Sequence, residues 1–135
     1  MLRSVKARDY MTESLVTFTP DTQLFTAIRL LQEHRISGAP VVDEQGRLAG
    51  ILSELDCLRA ILALTYHEEE MGGVVGDYMT RTVETVEHDA DIIAVSKIFI
   101  ERGRRRLPVV HHGRLVGQIS RCDVLRAVEE FAQDG

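Results

Sequence analysis

The chain has 135 residues, 44% apolar and 27% charged, which is the mix of one ordinary globular domain able to bury roughly two-thirds of its unfolded surface. Its 16 Lys and Arg against 21 Asp and Glu leave a net charge of −5, and with no Trp and few aromatics this argues against a general nucleic-acid binder. Two cysteines exclude a disulfide framework and a four-cysteine zinc site, no run approaches the roughly 18 apolar residues of a membrane span, and the first residues lack the apolar run of a signal peptide, so a soluble cytoplasmic protein is expected.

In chain order, Asp9-Tyr10-Met11-Thr12 is followed by a short β-prone run over 15–18 that stops at Pro20. Asp21 or Thr22 can cap a helix whose apolar face holds Leu24, Ala27, Ile28 and Leu31. A second strand is expected over 39–42, with Pro40 at its start. A turn over 43–46 leads to an antiparallel third strand over 48–52, then a helix over 54–64. The polar, Gly-rich stretch 67–76 reads as a linker. The pattern then starts again: Asp77-Tyr78-Met79-Thr80 repeats the first motif 68 residues later. Strands over 83–86, 107–110 and 115–119 and helices over 92–102 and 121–131 follow in the same order. Pro40-Val41-Val42 meets Pro108-Val109-Val110, Gly50 meets Gly117, and Leu58-Arg59-Ala60 meets Leu125-Arg126-Ala127, with one residue lost in a turn. The chain is therefore a β-α-β-β-α unit written twice, over 1–66 and 77–135. Solenoids need about three or more repeats, so two copies imply a pseudo-symmetric pair sharing one core.

Ser53-Glu54-Leu55-Asp56 and Ser120-Arg121-Cys122-Asp123 occupy the two junctions from third strand to last helix. Ser-x-x-Asp is a variant of the helix capping box. The same geometry suits a ligand: a helix N-terminus offers free N–H groups to an anion, and a carboxylate can accept both hydroxyls of a ribose. Both readings stand together. Arg102, Arg104, Arg105 and Arg106 crowd before the second Pro-Val-Val strand. They form either a solvated face or a phosphate-reading cluster. The first copy has His34-Arg35-Ile36-Ser37-Gly38 there and is much less basic. His67, His88, His111 and His112, with glutamates 68–70, lack metal-ligand spacing. Cys57 and Cys122 read as small helix residues. No nucleophile–base pair, P-loop or dinucleotide fingerprint is present.

From about Val5 to Val128 the chain resembles a tandem pair of CBS domains, a Bateman module, through the two Asp-Tyr-Met-Thr motifs, Ile36 to Asp43, Arg106 to Val110, and the paired Gly-x-x-Ser-x-x-Asp segments. The resemblance implies an α+β fold in which two β-α-β-β-α motifs pack through their sheets about a pseudo-two-fold axis. It implies a regulatory module for AMP, ADP or ATP, with S-adenosylmethionine or NAD as further possibilities, and no catalysis. Asp56 and Asp123 would hold ribose, and Ser53 and Ser120 would approach phosphate. Base or phosphate would meet Ile36, Ser37, Gly38, Ala39 and Pro40 in the first copy, and Arg105, Arg106, Leu107 and Pro108 in the second. Thr17 and Thr85 on the first strands join them. A homodimer, burying faces such as Leu58, Ile61 and Leu62, and a separate effector protein are the implied partners. The alternatives are a ligand-free interaction or dimerisation module, and binding of single-stranded nucleic acid through residues 102–106.

Overall fold

The computed structural model describes residues 2–66 and 72–134; the first part of the expected linker, 67–71, lies outside them. After a 3-10 turn at Leu2–Ser4 come α1 (Ala7–Tyr10), α2 (Leu24–Glu33), β1 (Gly38–Val42), β2 (Leu48–Ser53), α3 (Glu54–Tyr66), α4 (Val75–Tyr78), β3 (Val86–Glu87), α5 (Ile92–Arg102), β4 (Arg106–His111), β5 (Arg114–Ser120) and α6 (Arg121–Asp134). The fold is mixed α+β, with one two-stranded and one three-stranded sheet. The chain forms two compact units, residues 16–83 and residues 1–15 with 84–135. These units cut across the sequence repeat, because each one takes its Asp-Tyr-Met-Thr segment from the start of the other copy.

In the 16–83 unit, β1 and β2 form an antiparallel hairpin in which Gly38 pairs with Ser53 and Ala39 with Leu52. The run over 15–18 is not a full strand. Only Phe18 bridges Val41, in parallel. Leu24, Ala27 and Leu31 of α2 pack with Val41, Leu52, Ala60 and Leu64 in one buried cluster. The start of α2 differs from the expectation. Gln23 is its N-cap without a side-chain bond, while the Thr22 hydroxyl accepts the Thr19 N–H at 3.0 Å in a local turn. Helix α2 ends in a Schellman arrangement, with Ile36 N–H on Leu31 O at 3.0 Å and Arg35 N–H on Gln32 O at 3.2 Å. This places Arg35 at φ 52°, where the counterpart in the other unit is Gly103 at φ 64°. A left-handed conformation costs a side-chain-bearing residue about 1–2 kcal/mol, partly offset by glycine's larger entropy loss. Arg35→Gly should therefore stabilise the protein by about 0.5–1 kcal/mol in urea unfolding; a net loss would mean that the arginine side chain contributes more than its backbone costs.

In the other unit, β4 pairs antiparallel with β5 and parallel with β3, and Val95, Phe99, Leu107, Val109, Ile119 and Ala127 are buried together. The first strand is again shorter than expected and begins later, at Val86. Asp91 caps α5 by accepting the Ala94 N–H at 2.8 Å. The β4–β5 turn is centred on His112 (φ 53°) and Gly113 (φ 78°). Two positive φ values mark a two-residue type I′ turn, which absorbs the residue lost between the copies.

The two Asp-Tyr-Met-Thr segments were not expected to be structural elements. Each forms one helical turn and then a strap. Asp9 and Asp77 accept the N–H of Lys6 and Val74 at 2.9 and 3.2 Å. Thr12 then exchanges two backbone hydrogen bonds with Gln118 of β5, and Thr80 exchanges two with Ile51 of β2.

Candidate functional site

Both Ser-x-x-Asp motifs fold as capping boxes. Ser53 ends β2 and Asp56 lies three residues into α3. The Asp56 N–H donates to Ser53 Oγ at 3.1 Å, while the Ser53 N–H and hydroxyl each donate to Asp56 Oδ2 at 2.9 Å. At the other junction the Asp123 N–H donates to Ser120 Oγ at 3.2 Å and the Ser120 N–H donates to Asp123 Oδ2 at 2.8 Å. Asp56 and Asp123 are the buried polar residues of the described chain, 4% and 8% exposed. Buried carboxylates persist where such hydrogen bonds satisfy them. An arginine three residues on faces each outer oxygen, Arg59 at 3.6 Å from Asp56 Oδ1 and Arg126 at 3.3 Å from Asp123 Oδ1.

The hairpin registers bring further sequence-predicted residues beside these junctions. Gly38 is the partner of Ser53, and Arg106 that of Ser120. Ser37 O accepts the Glu54 N–H at 2.9 Å, and Arg105 O accepts the Arg121 N–H at 3.1 Å. Residues 37–38 and 105–106 therefore flank the first turns of α3 and α6. Ala39 and Leu107 turn into the cores, and Pro40 and Pro108 are also buried. Thr17 and Thr85 lie one residue before Phe18 and Val86, the residues that reach the central strands.

The arginines divide into two pairs. Arg104 donates to Glu84 Oε1 through Nε and a terminal nitrogen, at 3.2 and 3.0 Å, and Arg102 faces Glu84 Oε2 at 3.6 Å. The Arg105 and Arg106 side chains are exposed and make no ion pair among the described residues. Glu84 went unnoticed in the sequence; its signal was an acid next to the first strand, where the other copy has Val16.

A cleft of about 480 Å³ opens between α2 and α3, lined by Ile28, Leu31, Cys57 and Ile61 with Arg35, Ile36 and Ser37. Its lining includes neither Asp56 nor Ser53. Burial first, then the Asp56 and Glu54 carboxylates, push the Cys57 thiol up, which keeps it protonated at neutral pH. The His111 ring lies 3.9 Å from the His88 ring and 4.1 Å from the His112 ring, tilted by 60° and 44°. Desolvation, then repulsion from His88 and His112, hold His111 below the usual imidazole range. Among the described residues no group of three His, Cys, Asp or Glu could hold a metal ion, and no helix is long and apolar enough to cross a membrane.

The CBS domain family model matches residues 7–63 and 75–130. The chain is 31% identical to CBSX2 of Arabidopsis thaliana in its crystal structure with AMP, covering 95% of this chain and 98% of that one, at a TM-score of 0.81. It is 26% identical to the CBS domain pair of MJ0100, solved with 5′-methylthioadenosine and S-adenosyl-L-methionine, covering 97% and 98%, at a TM-score of 0.72. It is 34% identical to the chloroplastic CBSX1 of Arabidopsis thaliana, covering 94% of this chain. The chain spans 41% and 65% of the length of the first two curated relatives it matches. Each match of the family model extends over one strap and the motif that follows it in sequence. The chain belongs to the CBS-domain family and carries two of its domains.

Proposed function

We propose that the protein is a regulatory, non-catalytic module that binds adenosine nucleotides at two unequal sites. One is built on Asp56 and Ser53, the other on Asp123, Ser120, Arg105 and Arg106. The observation that carries this reading is the pair of buried carboxylates at helix N-termini. Each combines a ribose-type acceptor with N–H groups suited to phosphate. The AMP complex of CBSX2 and the S-adenosylmethionine complex of MJ0100 support it. The sites differ in charge: the second has beside its serine two arginines that make no ion pair among the described residues, while the first has Ser37 and Gly38 there. Polyphosphates therefore favour the second.

Calorimetric titration with AMP, ADP, ATP, NAD and S-adenosylmethionine tests the reading, and absence of heat from all five would sink it. Replacing Arg105 and Arg106 together with alanine should weaken ATP about tenfold or more, flatten its salt dependence and spare AMP more. Unchanged ATP binding would show that the run is only surface.

A second reading is favoured by one observation. Leu55, Leu58 and Leu62 of α3 and Leu125 of α6 are all more than half exposed. Such apolar helix faces suit a second copy or a protein partner. A native mass measurement of the purified protein reads both the assembly and any retained nucleotide. Nucleic-acid binding is disfavoured, because Glu84 already occupies Arg102 and Arg104.

A further inference from the structure

The two carboxylates differ before any ligand arrives. An ionised carboxylate has about four acceptor positions. At Asp56 three of them take hydrogen bonds, two from Ser53 on Oδ2 and one from the Thr80 hydroxyl on Oδ1 at 3.0 Å, and the fourth faces Arg59 across a 3.6 Å ion pair. At Asp123, among the described residues, Oδ2 takes only the Ser120 N–H and Oδ1 faces Arg126. Thr12 is the counterpart of Thr80 and makes the same backbone pairing, but its hydroxyl makes no bond to Asp123 among the described residues. That strap is anchored in another way. Arg126 donates to Tyr10 O at 3.1 Å and lies over the Tyr10 ring, whose hydroxyl donates to Glu130.

We propose that Thr80 is a gate on Asp56: a vicinal diol needs two acceptor positions and gains the second only by displacing the Thr80 hydroxyl, whereas Asp123 accepts the same diol without that exchange. The proposal rests on the nucleotide reading above. Thr80 is the donor that leaves. Displacing the Ser53 donors would break the reciprocal half of the α3 capping box, and the Arg59 guanidinium at 3.6 Å is an ion pair beyond hydrogen-bond length. Asp123 therefore fills first. Occupancy of Asp56 comes second and frees the strap of its side-chain anchor, so the second site reports high ligand concentration as a structural change.

The test is calorimetric titration with AMP in an Asp123→Asn background, which isolates the Asp56 site. Thr80→Val removes the hydroxyl at nearly constant shape and should tighten AMP about tenfold, the scale of one hydrogen bond to a charged group. Thr80→Ser keeps the hydroxyl and should restore the original affinity, and Thr12→Val should change nothing. Thr80→Ala is the second variant should valine disturb the strap, with thermal unfolding reporting that each protein is folded. Binding that ignores Thr80, or weakens in both the valine and alanine variants, overturns the gate alone. No binding of AMP by any variant, the unsubstituted protein included, overturns the nucleotide reading and the gate with it.

Discussion

Gly50→Ala is expected to lower stability by about 2–4 kcal/mol, and Gly117→Ala by less, about 1–2 kcal/mol. Both glycines have ordinary backbone angles, so space and not conformational freedom requires them. A Cβ on Gly50 would stand 2.6 Å from Thr80 O and 3.0 Å from Met79 Sδ. The carbonyl is backbone, held by its bond from Ile51 N–H at 2.9 Å, and it can yield only if the strap lifts from β2. Lifting loses that bond and its partner from Thr80 N–H to Ile51 O, and moves Met79 out of the core. At Gly117 the nearest atom is Met11 Sδ at 2.6 Å, the far end of a flexible side chain, with Thr12 O at 3.0 Å. Methionine can re-route there at modest cost. Alanine gains a few tenths of a kcal/mol in both cases by stiffening the unfolded chain, which is too little to reverse the sign. Urea unfolding of the two variants checks the ranking. Equal losses, or no loss at Gly50, would mean that the straps are not tightly seated on their hairpins.

The two straps also show where sequence reasoning stopped. The hairpins, the long helices and the Ser-x-x-Asp junctions are local features. Their signals, alternation, apolar periodicity and capping chemistry, lie within a few residues of one another, so they could be read directly. The exchange of straps is not local. Residues 1–15 belong with β5, more than a hundred positions away, and both hairpins carry the same glycine for either Met-Thr to meet. Nothing within four residues of Asp9 or Asp77 distinguishes the two docking sites. The first strands are shorter than their β-prone residues suggest for the reverse reason. Their β-prone residues are real, but Phe18 and Val86 do the pairing in the parallel direction, and the preceding Thr17 and Thr85 add no rungs to the ladder. The Thr80–Asp56 bond combines both difficulties. Each partner stands in a repeated motif, but the contact spans 24 positions and, among the described residues, has no counterpart in the other unit.

Asp123→Asn is expected to weaken AMP about tenfold to a hundredfold while leaving most of the stability in place. The capping function needs one acceptor facing the Ser120 N–H at 2.8 Å, and an amide oxygen can supply it. A vicinal diol needs two acceptors, and asparagine turns one of them into a donor pointed at a donor. Losing a hydrogen bond to a charged group costs about 1.5–3 kcal/mol of binding, which is the stated range. The Arg126 guanidinium, now without a carboxylate, keeps its bond to Tyr10 O, so the strap stays seated. Asp123→Ala should lose the same affinity and also about 1–3 kcal/mol of stability, because the Ser120 N–H loses its acceptor within a partly buried junction. The pair of variants thus separates cap from ligand group. Calorimetry with AMP, run beside urea unfolding, reads both quantities. If the asparagine protein binds AMP as well as the original, the buried carboxylates are helix caps and nothing more, and the resemblance to the AMP-bound relative stops at the fold.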